Sequence, residues 1–477
     1  MHKPLQSLTF VLLVFLALGL LSFSFPKDGI TISSNLKLEF PSLNSLFGEK
    51  TSKKDISKIL NSLNEIDTTF AINDTIEKGT KEKDTTVKLI TSIQTSNKAA
   101  LANFYNALTE LKNNPKAIRV LHYGDSQIEG DRITDYLRLK LQGQFGGHGP
   151  GLISLMPIAP SVTNKINNGP GWDRYNVFIG KDKRVPHSNF GILAGFNRFS
   201  NYRKITDSSS VITSSISVTT TKLGGSNALA YKKLKLFYGG AQTKTWCEFY
   251  DGPALIGADG LEEGGSFRIK EYNVGNGSYT HQLKFSGKDS PDFYAISLES
   301  ETGVLVDNIA LRGSSGTFFH QINNGQLKQF YDYLNVKLVI LQFGGNATPS
   351  IKDEKSSANY AGYLRSQIAI VKRAAPNASI LFIGPADMSI KNGTEYETYP
   401  FLETTRDEIK KVVLESGCAF FDMYDCMGGK NSMAAWVDQK LAATDYIHFS
   451  PQGARKIATL LYSALINDYN SYLKSKK

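Results

Sequence analysis

Cysteine is scarce in this sequence: three residues, Cys247, Cys418 and Cys426, occur among 477. Three cysteines cannot form a complete disulfide framework, and no pair of cysteines or of cysteine and histidine has the spacing of a zinc site. A dense block of lysine and arginine with interleaved aromatic residues is also absent, although the formal net charge is +10. We therefore expect no metal site and no nucleic-acid-binding surface.

One long apolar run is present, and it lies at the N-terminus. Lys3 precedes an uncharged stretch from Leu8 to Phe25, and Pro26 follows it. A length of about 18 residues lies between that of a signal-peptide core and that of a minimal transmembrane helix. Residues 1–25 are therefore predicted to be a signal peptide or a signal anchor, and the rest of the chain to be exported. The lack of a small-x-small cleavage site favours the anchor.

Residues 26–96 are predicted to be a flexible stalk. From Ser42 to Ser96 the composition shifts to Lys, Ser, Thr, Asp, Asn and Ile, and stretches such as EKGTKEKDTTVK show no apolar period. A segment of this composition cannot bury enough apolar surface to form a core. One part, SKKDISKILNSLNEI, is compatible with a short amphipathic helix. The folded region then opens with a predicted helix over 97–112.

Apolar strands alternate with amphipathic helices in two separate parts of the chain, 97–149 and 303–477. The strands are predicted at 118–123, 304–311, 336–343, 378–385 and 418–424. This alternation is typical of α/β proteins with a doubly wound parallel sheet. In such sheets ligands bind at the carboxyl ends of the strands, and every motif described below falls at such an end.

Residues 150–302 show a different pattern. Short runs of alternating polar and apolar residues, such as SVITSSISVTTTK and YTHQLKFSG, are separated by clusters of Gly, Asn, Asp and Ser. This pattern predicts an all-β sandwich or jelly-roll-like domain, inserted between the first strand of the parallel sheet and the others. Loop aromatics such as Trp172 either stack on a ligand or belong to the core of that domain.

Ser126 lies where the first predicted strand turns into a helix. The segment AIRVLHYGDSQIEGD runs from an apolar strand through Gly124 and Asp125 to Ser126, and the amphipathic pattern DRITDYLRLKL follows. Free N–H groups and the positive dipole end at the first turn of a helix favour negative charge on an oxygen. This is a suitable place for a nucleophilic serine. The alternative is that Asp125 or Ser126 only caps the helix.

Two further motifs offer hydrogen-bond donors at strand ends. RGSSGT ends the strand at 304–311, where Gly316, or less favourably Gly313, can present a backbone N–H towards the oxygen of Ser126. QFGGNAT ends the next strand, where Asn346 can present its side-chain amide. With the backbone N–H at the nucleophile, these two donors would form an oxyanion hole. A plain glycine or asparagine turn is the alternative for each motif.

The segment ATDYIHFSPQGARKIA near the C-terminus supplies a candidate base. Asp445 and His448 are three residues apart, in a loop just before a helix that Ser450 is expected to cap. This spacing lets the carboxylate hold one imidazole nitrogen while the other faces the serine. His122 is a second histidine close to Ser126 in sequence, but its position within a strand favours a packed or hydrogen-bonded core role.

Ser, Gly, Asn and Asp-x-x-His occur in this order, each at a strand end, and together they resemble the four blocks of the SGNH/GDSL hydrolase family. The resemblance covers about 117–144 and 303–470. It implies a flavodoxin-like α/β/α hydrolase domain in which no metal or cofactor is required. It also implies these roles: nucleophile Ser126, oxyanion donors Ser126, Gly316 and Asn346, base His448, and Asp445 as its partner.

The sequence departs from the family pattern at two positions. Gln127 replaces the leucine of the eponymous motif, and Ala347 replaces the aspartate that usually follows the asparagine of the third block. Neither change removes a catalytic group. The large insertion after the serine block is similar to that of bacterial peptidoglycan O-acetylesterases, whose inserted domain resembles a carbohydrate-binding module.

The resemblance implies a serine esterase that removes O-acetyl or other short acyl groups from cell-wall or other polysaccharide through an acyl-enzyme. An O-acetylated glycan is then the expected partner, and the bacterial periplasm or cell envelope the expected location, with the N-terminal segment as a possible membrane anchor. Three alternatives stay open: a glycan O-acetyltransferase with the same residues, a non-catalytic glycan-binding protein, and a lipase or thioesterase. The sugar, the acyl group and the oligomeric state stay open as well.

Overall fold

The protein is represented by a computed structural model that describes residues 4–26, 29–33, 36–38, 40–41, 54–61, 92–178, 180–202, 206, 208–275, 277–393 and 395–476. The main α-helices are α1 (Pro4–Ser24), α2 (Ala102–Glu110), α3 (Thr134–Phe145), α4 (Asn324–Tyr333), α5 (Glu354–Ala374), α6 (Leu402–Glu415), α7 (Met423–Met427), α8 (Ser432–Asp438) and α9 (Pro451–Ser475). The strands are β1 (Ile30–Ser33), β2 (Leu36–Leu38), β3 (Ile93–Gln94), β4 (Ile118–Gly124), β5 (Gly151–Ile153), β6 (Asn164–Asn168), β7 (Asp173–Asn176), β8 (Gly195–Arg198), β9 (Ile212–Thr220), β10 (Lys233–Gly239), β11 (Thr245–Asp251), β12 (Ala254–Leu261), β13 (Arg268–Asn273), β14 (Thr280–Gly287), β15 (Asp292–Glu299), β16 (Val304–Ala310), β17 (Val336–Gln342), β18 (Ser379–Ile383), β19 (Ser389–Asn392), β20 (Glu395–Thr398) and β21 (Ala419–Phe421).

The α/β domain is built on a six-stranded sheet with the strand order β16-β4-β17-β18-β21-β3. Its first five strands pair in parallel, and β3 joins the edge in the antiparallel direction. Every residue of β4 and of β18 is buried, which explains why both are mainly apolar; Arg119 and His122 are the polar exceptions in β4. Side chains from α2, α3 and α9 pack on one face of the sheet, and those from α4, α5 and α6 pack on the other.

The inserted β domain consists of two antiparallel sheets. Their strand orders are β13-β10-β15-β8-β7, with β5 paired to β15, and β12-β11-β14-β9-β6. Facing side chains form a common core; the rings of Phe285 and Phe293, one from each sheet, have centroids 4.7 Å apart. Burial alternates along β9 and β14, as expected for strands with one face in a core. The predicted fold class, a parallel α/β domain with an inserted β-sandwich, is confirmed.

The two domains are packed together by apolar and ionic contacts. Phe237 of β10 contacts Phe330 of α4, with ring centroids 5.7 Å apart. Arg119 of β4 pairs with Asp307 of β16 at 2.8 Å and with Glu299 at the end of β15, and all three side chains are buried. Buried charges are tolerated when they are paired in this way. The β domain is therefore fixed on the α/β domain rather than joined to it by a free linker.

Besides the hairpin of β1 and β2, two parts of the predicted stalk do not fit a flexible segment. Residues 57–61 are helical, and Ile56 and Ile59 are 4% and 8% exposed in the core of the α/β domain. The short strand β3 forms the edge of the parallel sheet. The apolar isoleucines explain the packing of the first segment, because they give it one face to bury. Residues 62–91 of the predicted stalk lie outside the described residues.

The N-terminal helix α1 coincides with the apolar run of the sequence. Its segment Gln6–Ser24 has 19 residues and a mean hydropathy of 2.3, so it is long and apolar enough to cross a membrane by length and composition. A signal sequence meets the same criterion. Signal peptide and anchor both remain predictions.

Candidate active site

Ser126 lies at the carboxyl end of β4, in the turn that leaves the sheet. The sequence pattern predicts that an α-helix starts at this serine. The structure instead has an interrupted 3-10 turn over Ser126–Asp131, and α3 begins at Thr134. Asp125 caps the turn by accepting a hydrogen bond from the Gln127 N–H at 2.9 Å. The serine therefore stands on a tight turn at the edge of the sheet, ahead of the long helix.

The loop before α9 brings His448 to Ser126. The Oγ of Ser126 lies 2.8 Å from Nε2 of His448, and Nδ1 of His448 lies 2.7 Å from Oδ2 of Asp445. Both distances are within the hydrogen-bond reach that activation of a serine by a histidine requires. The structure thus places these three residues side by side, and we call them the Ser–His–Asp row.

Asp445 is held by the backbone of its own loop. Its Oδ1 accepts hydrogen bonds from the N–H groups of Ile447 at 2.9 Å and of His448 at 3.0 Å. Partial burial acts to raise the pKa of Asp445, but these bonds and the adjacent imidazole outweigh it, so the pKa is lowered. The carboxylate is therefore ionised and fixed in the orientation in which it faces the His448 ring.

Gly313, and not the predicted Gly316, lies at the cleft that contains Ser126. Gly313 lines this cleft together with Ser126 and Asn346. Among the described residues, no hydrogen-bond acceptor is found for the N–H of Gly313. The N–H of Gly316 instead donates to Oγ of Ser314 at 3.1 Å. The N–H of Gly316 is therefore used inside the loop, and of the two glycines that the sequence offers, Gly313 has the N–H at the cleft that stays free among the described residues.

Asn346 lies in the cleft beside the serine turn. Its Nδ2 donates to Oδ2 of Asp125 at 3.0 Å and to the carbonyl oxygen of Ser314 at 3.1 Å, so the amide is held from two sides. Asp125 is 4% exposed. Burial raises its pKa to about 6, although bonds from the Gln127 N–H and the Asn346 amide and the nearby His448 act to lower it. Asp125 therefore orients the amide of Asn346 next to the serine.

Gln127 and Arg132 hold the loop of His448, and the sequence analysis missed both roles. Nε2 of Gln127 donates to the Ile447 carbonyl at 2.7 Å, and its Oε1 accepts from the Phe449 N–H at 3.4 Å. Arg132 donates to the carbonyl of the serine at 2.5 Å and to that of Phe449 at 3.4 Å. Gln127 thus bonds to both neighbours of His448. The departure from the family motif was the available signal, because a leucine makes neither bond.

His122 is buried in the parallel sheet. Its Nδ1 bonds to Oγ1 of Thr134 and its Nε2 to Oε1 of Gln342, each at 3.0 Å. Burial lowers the pKa of His122 to about 4, against the bond to Gln342, which acts to raise it. Because both ring nitrogens are occupied, this histidine is not placed to take a proton from Ser126. Its packed position agrees with the sequence-based expectation.

The serine faces a cleft of about 680 Å³, within the range of 300–1,000 Å³ that is typical of small-molecule sites. Apolar side chains such as Met423 and Ile447 line one part of it. Arg312 lies at its rim and bonds to Glu129 twice, at 2.7 and 2.5 Å. The cleft therefore offers both apolar and charged walls next to the Ser–His–Asp row.

Trp172 belongs to the core of the β domain. Its ring lies against Phe199, Phe285 and Phe293, with centroids 5.6 to 6.0 Å apart. Its Nε1 donates to the Ser215 carbonyl at 2.9 Å. Of the two roles that the sequence left open for Trp172, the structure supports packing rather than stacking on a ligand.

Comparison with known families identifies the α/β domain. Residues 275–456 match the profile of the GDSL-like Lipase/Acylhydrolase family. The match contains Gly313, Asn346, Asp445 and His448, while Ser126 precedes it because the β domain separates the serine block from the others. This part of the chain is therefore similar to the GDSL-like, or SGNH, hydrolases. Its enzyme class is that of the carboxylic ester hydrolases. No curated protein sequence matches this chain.

Solved structures extend the comparison. A peptidoglycan O-acetylesterase has a TM-score of 0.61 and 21% identity, over 80% of this chain and 99% of that one. An acetyl xylan esterase has a TM-score of 0.25 and 15% identity, over 34% of this chain and 81% of that one. A carbohydrate esterase family 2 enzyme with a carbohydrate-binding domain, from Corynascus thermopiles (Myceliophthora fergusii), has a TM-score of 0.25 and 11% identity, over 56% and 98%. The first likeness shows that this chain shares the fold of that esterase over most of its length.

Proposed function

We propose that this protein is a serine esterase of the GDSL-like type that removes O-acetyl groups from a polysaccharide. The observation that carries the proposal is the Ser–His–Asp row, with distances of 2.8 and 2.7 Å, at an open cleft. The shared fold with a peptidoglycan O-acetylesterase supports an acetylated glycan as the substrate class. A lipid ester is the less favoured substrate class.

In the first half of the proposed reaction, Ser126 becomes acylated. His448 Nε2 takes the hydroxyl proton as Ser126 Oγ attacks the carbonyl carbon of the acetyl ester. Asp445, ionised and bonded to Nδ1, orients the ring and stabilises the imidazolium. The C–O bond to the sugar then breaks, and the sugar oxygen takes the proton from His448.

Three donors are proposed for the oxyanion that forms in this step. They are the N–H groups of Ser126 and Gly313 and the side-chain amide of Asn346. Asn346 would exchange its bond to the Ser314 carbonyl for one to the oxyanion, while its bond to Asp125 keeps it in place. Loss of one such donor typically lowers kcat by about 10²- to 10³-fold.

In the second half, water replaces the sugar. His448 takes a proton from a water molecule whose oxygen attacks the acetyl-enzyme, and the proton returns to Ser126 Oγ as acetate leaves. The net reaction consumes one ester and one water and gives acetate, a proton and a free sugar hydroxyl. The same acyl-enzyme would acetylate a sugar if a hydroxyl reached it in place of water, so an acceptor sugar belongs in the test.

The domain roles and the location are part of the proposal. We assign the hydrolase to residues 97–149 and 303–477 and glycan contacts to the β domain at 150–302. The apolar helix α1, as a signal or an anchor, supports a place in the cell envelope. Acetylated cell-wall glycan would be accessible to the enzyme there.

Acetate release from O-acetylated cell-wall glycan by the purified full chain tests the proposal. Ser126→Ala should lower the rate by roughly three or more orders of magnitude with the fold intact, because the nucleophile is lost. Ser366→Ala, an exposed serine on α5, is the matched control and should leave the rate unchanged. Equal rates for parent and Ser126→Ala would overturn the proposal, and acetyl transfer to an added sugar in preference to water would change it to a transferase.

A further inference from the structure

A short segment of the β domain, 160–163, lies against the turn that starts at Ser126. The N–H of Val162 donates to the carbonyl of Gly130, within this turn, at 3.1 Å. A Cβ atom on Gly130 would lie 2.8 Å from the carbonyl oxygen of Pro160, so the two segments are in close contact. The β domain therefore contacts the same turn that carries the proposed nucleophile.

Asp131, the last residue of the serine turn, joins it to the β domain through its side chain. Its Oδ2 accepts hydrogen bonds from Thr163 Oγ1 and from Nη1 of Arg138, both at 2.7 Å, and its Oδ1 accepts from Nη2 of Arg138 at 3.0 Å. Asp131, Arg138 and Thr163 are 4%, 2% and 1% exposed. Hydrogen bonds to a buried carboxylate are strong and specific in geometry. The carboxylate is thus fixed between α3 and the β domain.

The backbone of Asp131 has a conformation that needs such support. Its φ is 72°, in the left-handed region that residues other than glycine rarely adopt. Gly130 before it has φ of 68°, so two consecutive residues of the turn are left-handed. A strained residue of this kind persists only where its surroundings fix it, and such residues are common at functional sites. The bonds from Thr163 and Arg138 supply that fixation.

Arg132 connects Asp131 to the two reacting side chains. It is the next residue in the chain, and its guanidinium donates to the carbonyl of Ser126 at 2.5 Å and to that of Phe449 at 3.4 Å. Phe449 directly follows His448, so Arg132 bonds to the backbone of both loops that meet in the Ser–His–Asp row. A displacement of Asp131 would therefore change how the serine faces the histidine. A misplacement of about 1 Å can cost up to about 10²-fold in rate.

We infer that the β domain is a working part of the catalytic centre, with Thr163 and Asp131 as positioning residues for Ser126. The inference rests on the proposed role of Ser126 as the nucleophile and not on the identity of the glycan. It gives the β domain a role in the hydrolysis of every ester, including esters too small to reach any glycan contact. Asn308 Nδ2 also holds the turn, through the Ile128 carbonyl at 2.9 Å, so loss of the Thr163 hydroxyl should weaken the alignment without abolishing it.

The test is Thr163→Val in the full chain, which removes the hydroxyl and keeps the size of the side chain. Two reactions that involve no glycan measure its effect: hydrolysis of 4-nitrophenyl acetate and labelling of Ser126 by diisopropyl fluorophosphate. We expect kcat and the labelling rate each to fall roughly tenfold with KM unchanged, because the nucleophile is displaced while ester binding is not. Thr163→Ser keeps the donor and should retain the parent rates. Thr213→Val, at an exposed position of β9, is the control and should have no effect.

Thr163→Ala is the second variant if Thr163→Val does not fold, because it removes the hydroxyl without placing a methyl group against the carboxylate. A lower melting temperature with parental kcat and labelling rate would overturn the inference, since the contact would then only stabilise the fold. A higher KM for O-acetylated glycan, with unchanged kinetics on 4-nitrophenyl acetate, would also overturn it, by assigning the segment to substrate binding. Failure of the proposed function shows separately, as hydrolysis of 4-nitrophenyl acetate that survives Ser126→Ala.

Discussion

Each domain of this chain contains a row of hydroxyl, imidazole and carboxylate. In the α/β domain it is the Ser–His–Asp row. In the β domain the hydroxyl of Tyr231 lies 2.7 Å from Nε2 of His281, and Nδ1 of His281 lies 3.1 Å from Oδ1 of Asp251, without hydrogen-bond alignment. We call these three residues the Tyr–His–Asp row. The two rows share their chemistry and order but differ in where the fold places them.

The Tyr–His–Asp row is closed off inside the β-sandwich. His281 is 1% exposed, and burial lowers its pKa although Asp251 acts to raise it. Burial also raises the pKa of Tyr231 to about 12. The Ser–His–Asp row instead lines an open cleft at the edge of the parallel sheet, with Ser126 at the end of β4. The comparison teaches that access at a strand end, rather than the set of residues, distinguishes a candidate catalytic row from a structural one.

Replacement of each histidine gives the largest expected difference between the two rows. His448→Ala should lower kcat/KM for an acetyl ester by about 10⁴- to 10⁶-fold, because neither serine nor histidine works without the other. His281→Gln should lower the melting temperature and leave kcat/KM of the folded protein unchanged. Steady-state kinetics beside thermal unfolding decide it. Comparable losses of turnover in both variants would contradict the distinction.

The two carboxylates give the next largest contrast. Asp445→Asn should lower kcat between about 10²- and 10⁴-fold, less than His448→Ala, because the imidazole survives without its orienting charge. Asp251→Asn should leave kcat of the folded protein at the parent value. Initial rates with saturating 4-nitrophenyl acetate measure both. An Asp445→Asn variant with parental kcat would remove Asp445 from the proposed mechanism.

Gln127 allows a finer test of the comparison. It holds the loop of His448 in place by hydrogen bonds, whereas His281 is held by the core packing of the β-sandwich. Gln127→Leu restores the family's leucine and removes both bonds to the backbone on either side of His448. We expect kcat to fall roughly tenfold with KM unchanged, since a small displacement of the base affects the transition state more than binding. Gln439→Leu, at an exposed position, is the control. A rise in KM with parental kcat would indicate a role in binding instead.

The smallest effect on activity is expected at His122, the buried histidine of the hydrolase domain. Its pKa is about 4 in the folded chain, against about 6.5 for an unfolded histidine. Between these values the unfolded chain binds more protons, so the free energy of unfolding is highest above pH 6.5. It falls by about 3 kcal/mol as the pH falls to 4. Denaturant unfolding of His122→Gln should lack this part of the pH dependence, and an unchanged pH slope would contradict the neutral, buried assignment.

Much of the site could be predicted from the sequence, because the carboxyl ends of parallel strands lie at one edge of the sheet. That rule brings Ser126 and Asn346 near one another, and the structure places them so. His448 comes after two helices that follow the last strand, and the loop before α9 brings it to the same edge. The rule does not choose between Gly313 and Gly316, which both have φ of 80° in the same loop. The choice depends on which backbone N–H donates to the hydroxyl of Ser314. The side-chain rotamer of Ser314 decides this, and the folded loop sets that rotamer.

Composition gave the wrong prediction for a segment in which a few apolar residues pack into the core although the residues around them are polar. Ile56 and Ile59 are enough to fix 57–61 on the α/β domain, although the sequence around them is typical of a tether. Trp172 shows the opposite limit, because an aromatic residue in a glycine-rich loop fits either core or surface. The three phenylalanines that surround it, Phe199, Phe285 and Phe293, come from later parts of the chain. Such long-range contacts are not visible as a local pattern.

The entry and exit of the β domain have a consequence for how the chain folds. Gly147 and Gly303 approach so closely that a side chain on Gly303 would collide with the backbone of Gly147. The neighbouring strands β4 and β16 are thus joined through the whole β domain, and pairing them in an unfolded chain would require closure of a very long loop. Once the β domain has folded, the two glycines are adjacent and the loop is short. During synthesis we therefore expect β4 to stay unpaired until the β domain, which is made later, has folded. The folded β domain then holds the ends of β4 and β16 together, so that the central sheet can form.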